Sequence, residues 1–275
     1  MADCNSKCSD CSQTCSDRKE SSNFLIEPNA STKIGKIIGV VSGKGGVGKS
    51  LITSLLASDM ARKGYKVGIL DADITGPSIP KYFGINEKAV GNKEGLIIPP
   101  VAENGVRVVS VNLLLEDSEA PVIWRGPIVA NVVKQFYQEV EWKELDYLFV
   151  DMPPGTGDVP LTIFQSLPID GIVVVTSPSD LVSMIVKKAV NMANMMNIKI
   201  IGAVENMSYL KCPDCGKEMS VFGESKIADT AKEENIDTFS RIPINPDISR
   251  STDAGRIFDI KEDYLFDIVD KIEIL

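Results

Sequence analysis

Between Ile37 and Ala61 the chain reads Ile-Ile-Gly-Val-Val-Ser-Gly-Lys-Gly-Gly-Val-Gly-Lys-Ser, then Leu-Ile-Thr-Ser-Leu-Leu-Ala-Ser-Asp-Met-Ala. Residues 37–41 are a short apolar run rich in Ile and Val, which predicts a buried strand. Gly43, Gly48, Lys49 and Ser50 fit the phosphate-loop pattern G-x-x-x-x-G-K-[ST]. Its glycines let successive backbone N–H groups turn inward toward phosphate oxygens. Ile52, Leu55, Leu56 and Met60 recur at helical spacing, so a helix follows and directs its N-terminus at the phosphates. The candidate nucleotide contacts are Gly43, Lys44, Gly45, Gly46, Val47, Gly48, Lys49, Ser50 and Leu51. Lys49 is placed to reach the β/γ-phosphates and Ser50 to ligate Mg²⁺. A glycine-rich turn without function is the plainer alternative, but strand, loop and helix follow in the order that phosphate binding requires.

Further along, Lys66–Leu70 is a second short strand ending in Asp71-Ala-Asp73, with carboxylates where α/β sheets bind ligands. Residues 84–105, rich in Gly, Pro and Asn, predict a loop or short hairpin, and Val106–Val111 another strand. Trp124-Arg-Gly-Pro127 opens a helix, with Pro127 suited to its first turn. Tyr147–Val150 is an apolar strand closing on Asp151, a Walker-B arrangement in which the carboxylate supports Mg²⁺. A stiff polar loop, Met152 to Asp158, follows. Gly171–Thr176 is a buried strand, and Ser179 caps a helix through Met184, Ile185, Lys188 and Met192. Met192, Met195 and Met196 read as core or interface packing rather than a cofactor box. Ile198–Val204 is the next strand, and Asn206 just beyond it is placed for a purine edge. The Asn-Lys-x-Asp pattern of guanine readers is missing, which favours ATP. A strand at Thr238–Ile242, Pro243 and Pro246, and a terminal helix with Leu265, Ile268, Val269 and Ile272 on one face complete the chain. The alternation predicts an α/β fold, a P-loop NTPase fold with a mostly parallel central sheet flanked by helices.

The chain of 275 residues has six cysteines, no histidine and a net charge of −9. That acidity argues against nonspecific nucleic-acid binding and against anionic membrane surfaces. The N-terminus has no apolar signal region and no run reaches membrane-span length, so a cytoplasmic protein is expected. Without histidine, a transition-metal site must be built mainly from thiolates. Cys4, Cys8, Cys11 and Cys15 lie in a polar tail, residues 1–20, followed by a linker at 21–33 and an ATPase domain at 34–275. The four thiols suit an iron–sulfur cluster; zinc, or a tail with incidental thiols, are the alternatives. Cys212-Pro-Asp-Cys215 supplies two thiolates between a strand and a helix expected near Glu224. Either a second copy completes a metal site, or the pair is a redox dithiol, or it is structural.

Lys44 adds a second lysine to the loop. This Lys-Gly-Gly-x-Gly-Lys-Ser variant resembles the deviant phosphate loop of the ParA/MinD/nitrogenase-iron-protein class. More narrowly, Gly43–Ser50, Leu70–Pro80, Trp124–Pro127, Asp151–Asp158, Glu205–Ser208 and Cys212-x-x-Cys215 together resemble the Mrp/ApbC branch, the iron–sulfur cluster carriers. The resemblance implies a homodimer that binds and slowly hydrolyses MgATP, holds a [4Fe–4S] cluster between Cys212 and Cys215 of both copies, and passes it to apo-proteins. By position it makes Lys44 the trans lysine, Lys49 the phosphate lysine and Asp73 the residue facing the attacking water. Ser50, Asp71, Asp73 and Asp151 fall to Mg²⁺, and Asn206 to the nucleotide. An electron-transferring reductase component and a MinD- or ParA-like positioning ATPase are the competing functions. Acidic residues after Lys261 oppose membrane attachment.

Overall fold

The computed structural model describes residues 25–73, 78–113, 126–179 and 182–275. In chain order the elements are β1 (Lys33–Ser42), α1 (Lys49–Arg62), β2 (Val67–Asp71), α2 (Ile79–Tyr82), β3 (Val90–Gly91), β4 (Ile97–Ile98), β5 (Arg107–Val109), α3 (Gly126–Glu139), β6 (Glu144–Asp151) and α4 (Asp158–Ser166). They continue with β7 (Gly171–Thr176), α5 (Val182–Met195), β8 (Lys199–Glu205), β9 (Leu210–Lys211), β10 (Glu218–Met219), α6 (Ile227–Glu233), β11 (Phe239–Arg241), α7 (Pro246–Asp253) and α8 (Phe266–Glu273).

Seven strands form one sheet in the order β11-β8-β7-β1-β6-β2-β5, and every pairing in it is parallel. A parallel sheet is covered on both faces, which is why its strands read as unbroken apolar runs. In β1, Ile37 and Val41 enter one core while Ile38 and Val40 enter the other. Helices α3 to α6 cover the first face; α1, α2, α7 and α8 cover the second. Trp142 is fully buried at the base of the first core, and its indole N–H donates to the Phe136 carbonyl at 3.1 Å. Among the described residues no helix is long and apolar enough to cross a membrane.

The seven long-range strands stand where the sequence places them, and the expected hairpin within 84–105 is the β3–β4 pair. Several local expectations need correction. The polar loop after Asp151 turns into α4 at Asp158, with Pro160 in its first turn, where no backbone N–H is needed. Pro246 does not break structure but starts α7, and Asn245 caps it by accepting the Asp247 N–H at 2.9 Å. The helix expected near Glu224 begins at Ile227. The stretch read as a linker is fastened to the body from Ile26 onward: Ile26 N–H donates to the Ser166 carbonyl, and the Asn29 amide to the carbonyls of Gln138 and Val140. Met192 is in the core, but Met195 is 79% exposed. Cys4, Cys8, Cys11, Cys15, Trp124 and Arg125 lie outside the described residues, as do residues 180–181.

Candidate functional site

The loop between β1 and α1 sits at the C-terminal edge of the sheet, beside the ends of β2 and β6. Two of its glycines are dictated by their neighbours. A Cβ on Gly43 would lie 2.5 Å from the Ile185 side chain, and one on Gly48 would lie 2.2 Å from the Asn206 amide nitrogen. Gly48 also adopts φ +83°, the left-handed conformation that glycine takes at no steric cost. At Gly45 and Gly46 nothing lies within 4 Å of such a Cβ. The loop thus presents an open backbone concavity at the N-terminus of the 14-residue helix α1, a fit for an anionic phosphate group.

Below the loop, Lys49 is buried among carboxylates. Its Nζ lies 2.8 Å from Asp151 Oδ2 and 3.4 Å from Asp73 Oδ2. Burial alone would lower its pKa, but Asp151 and Asp73 outweigh that and raise it above the usual lysine value. Asp71 and Asp151 occupy facing positions in the β2–β6 register. Burial, then repulsion from Asp151, pushes the Asp71 carboxyl well above the usual carboxylate range. Asp151 also accepts hydrogen bonds from Ser50 Oγ at 2.6 Å and Thr53 Oγ1 at 2.7 Å, and the Asp73 N–H donates to Asp71 at 3.1 Å.

Three aspartates about one lysine leave the pocket short of positive charge, which suits a divalent cation. Among the described residues no three His, Cys, Asp or Glu side chains form a ready-made metal cage.

The structure brings Lys49, Ser50, Asp71, Asp73, Asp151 and Asn206 to one place. Asn206, expected at a purine edge, is buried and donates its amide N–H to the Val47 carbonyl at 3.0 Å, so it holds the phosphate loop itself. Lys44 is exposed on the rim of the loop, and Leu51 lies one residue further into α1. Thr53 was not foreseen. Its signal was present, since it lies three residues after Ser50, on the same face of α1.

The cysteine pair is elsewhere. It forms the turn of a small antiparallel hairpin, β9–β10, inserted between the strand and the helix that the sequence places on either side. Cys212 N–H donates to the Lys217 carbonyl and Gly216 N–H to the Cys212 carbonyl, both at 2.9 Å, and Gly216 takes φ +72° to close the turn. Cys215 is exposed, and both thiols are free. Backbone N–H groups of Cys215 and Asp214 facing its sulfur hold the Cys212 thiol below its ordinary value.

A phosphate loop at a strand–helix junction, with aspartates closing the adjacent strand β6 and the next strand β2, defines a P-loop NTPase. The family model described as the NUBPL iron-transfer P-loop NTPase, of the ParA group, matches residues 33–272, and the chain belongs to that family. It is 49% identical over 230 residues to the iron-sulfur cluster carrier protein of Clostridium perfringens, covering 81% of each chain. To that of Methanocaldococcus jannaschii it is 43% identical over 262 residues, covering 93% of this chain and 90% of the other. Among solved structures, an ADP-bound nucleotide-binding protein of Archaeoglobus fulgidus superposes with a TM-score of 0.76 at 41% identity, covering 84% of this chain and 91% of that one. The cell division ATPase MinD of Pyrococcus furiosus, at 19% identity and TM-score 0.58, shares the fold.

Proposed function

We propose that this protein is a cytoplasmic, ATP-dependent iron–sulfur cluster carrier that works as a homodimer. The cargo is a [4Fe–4S] cluster held by Cys212 and Cys215 of two copies and handed to apo-proteins. The observation that carries this reading is the hairpin itself. It presents two thiols with no third metal-binding side chain beside them among the described residues. A cubane cluster takes four thiolates. A two-fold axis brings the same patch of both subunits together and completes the count.

At the other site, the loop N–H groups and Lys49 bind the phosphates. Lys49 is already charged and desolvated, so its attraction for a phosphate is weakly screened. A Mg²⁺ ion held through Ser50 and Asp151 would neutralise charge on the phosphates. Asp73 orients the attacking water, and Asp71 stands behind it. Lys44, exposed on the loop rim, reaches the nucleotide of the partner subunit. Hydrolysis is slow and serves to time cluster handling.

The test is anaerobic reconstitution with iron and sulfide, followed by transfer to an apo-enzyme. Wild type is expected to bind one bridging cluster per dimer, besides any held by the N-terminal cysteines, and to activate the recipient. Cys215→Ala should lose this cluster and its transfer while still binding ATP. Full bridging iron in that variant refutes the assignment, and electron delivery without transfer favours a reductase role. Cys4, Cys8, Cys11 and Cys15 are proposed to hold a separate cluster. Deleting residues 1–20 should remove that iron alone; zinc in its place overturns this part.

A further inference from the structure

Glu205 to Tyr209 joins the end of β8 to the start of β9 and is gripped at both ends. At one end the Asn206 amide holds the Val47 carbonyl of the phosphate loop, and Asn206 N–H donates to Thr176 at 2.9 Å. At the other, Ile244 N–H donates to the Tyr209 carbonyl at 2.7 Å, at the foot of the cysteine hairpin. Met207 between them takes φ +55°, a tight bend that is uncommon outside glycine.

Arg241, the last residue of β11, ties this segment to the hairpin. Its Nε donates to Ser208 Oγ at 2.8 Å. Its guanidinium lies 4.8 Å over the Tyr209 ring, and it reaches the Glu218 carboxylate on β10 at 3.7 Å. Ser208 Oγ in turn donates to Glu205 Oε1 at 2.6 Å. Because the single hydroxyl proton goes to Glu205, the lone pairs of Ser208 are left facing Arg241. Glu205 is completely buried, and its Oε2 has no hydrogen-bond partner among the described residues. A buried carboxyl group served on only one oxygen is costly for stability. The role that accounts for it is to fix the direction of the Ser208 hydroxyl and so to seat Arg241.

We propose that Arg241 is a positioning residue that locks the Cys212–Cys215 hairpin onto the segment gripping the phosphate loop, so that nucleotide in the loop changes the exposure of the two thiols. This rests on the reading of the loop as the nucleotide site; it does not require that a cluster be bound. The Glu218 pair is half-exposed and contributes little alone, so the ring contact and the Ser208 bond do most of the holding.

The test uses the full-length, metal-free protein. N-ethylmaleimide labelling of Cys212 and Cys215 is followed by peptide mass spectrometry, with and without MgADP or a non-hydrolysable MgATP analogue. In wild type, nucleotide should change the labelling rate by about fivefold or more. Arg241→Gln should lose that change while calorimetry shows unchanged nucleotide affinity. Arg241→Lys keeps the charge but lacks the Nε–H, and should not rescue it. If Arg241→Gln does not fold, Ser208→Ala tests the same lock. A wild-type rate indifferent to nucleotide overturns the proposal. So does a full response in Arg241→Gln or Ser208→Ala, or a loss explained by lost nucleotide binding. Failure of the carrier reading would be seen separately, as no iron after reconstitution.

Discussion

Lys49 and Asp151 meet at 2.8 Å with both side chains almost wholly out of water, at 5% and 0% exposure. Lys49 is the cation that pairs with the buried Asp151 among the described ion pairs. Lys49→Ala therefore has two expected effects. ATP binding should vanish in calorimetry, and the fold should lose about 3 kcal/mol or more, because buried carboxylate is left without its counter-charge. Thermal unfolding of the variant checks the second effect independently of nucleotide.

Lys44 is exposed and lies outside this buried cluster, so its loss should leave both stability and ATP affinity near wild type. Turnover of Lys44→Ala should fall about a hundredfold or more, the size of a lost transition-state contact. A steady-state phosphate-release assay decides the matter. Wild-type turnover in that variant would remove Lys44 from the catalytic set.

Gly48→Ala introduces a Cβ into the Asn206 amide and forces a left-handed backbone on an L-residue. The backbone term alone is about 1–2 kcal/mol. The variant should also bind ATP more weakly, since the displaced Asn206 amide no longer holds the Val47 carbonyl. Gly45→Ala, with open space around its Cβ, should cost little stability, and comparing the two melts separates the effects.

Asp59 on α1 supplies a pH dependence. Burial, opposed by Arg62, raises its pKa from 3.8 to about 6. Between those values the folded protein holds a proton that the unfolded chain has released. Its contribution to stability is therefore greatest at low pH and declines as pH rises through about 6. Asp59→Asn should flatten that part of the curve. Urea unfolding at a series of pH values from 4 to about 7 measures it.

Much of this architecture is legible from residue order because the sheet is buried on both faces. Runs such as Gly171–Thr176 and Tyr147–Asp151 leave no alternative to a buried strand, and the phosphate loop marks which strand end faces the ligand. Helices α4 and α7 were hidden because Pro160 and Pro246, which punctuate most sequences, here occupy first turns. The β9–β10 hairpin has two residues per strand, too few for a period to show. The Glu205–Ser208–Arg241 arrangement depends on β8 pairing with β11, which sets Arg241 opposite Glu205 across 36 positions of sequence. No local pattern announces such a contact. The position of Asn206 at a strand end is legible in the sequence, while its bond to the Val47 carbonyl required the fold.

The cysteine hairpin belongs to neither hydrophobic core; its residues from Lys211 to Phe222 are almost all open to solvent. The free energy of folding therefore lies elsewhere, in the sheet and its two helical layers. Substitutions in the hairpin escape the penalty that core changes carry, so selection can alter the ligands, the rim of exposed Met219, Val221 and Phe222, or the loop length without endangering the nucleotide engine. On the carrier reading proposed above, the end that would bear the cargo is free to diversify while the nucleotide-binding body stays fixed.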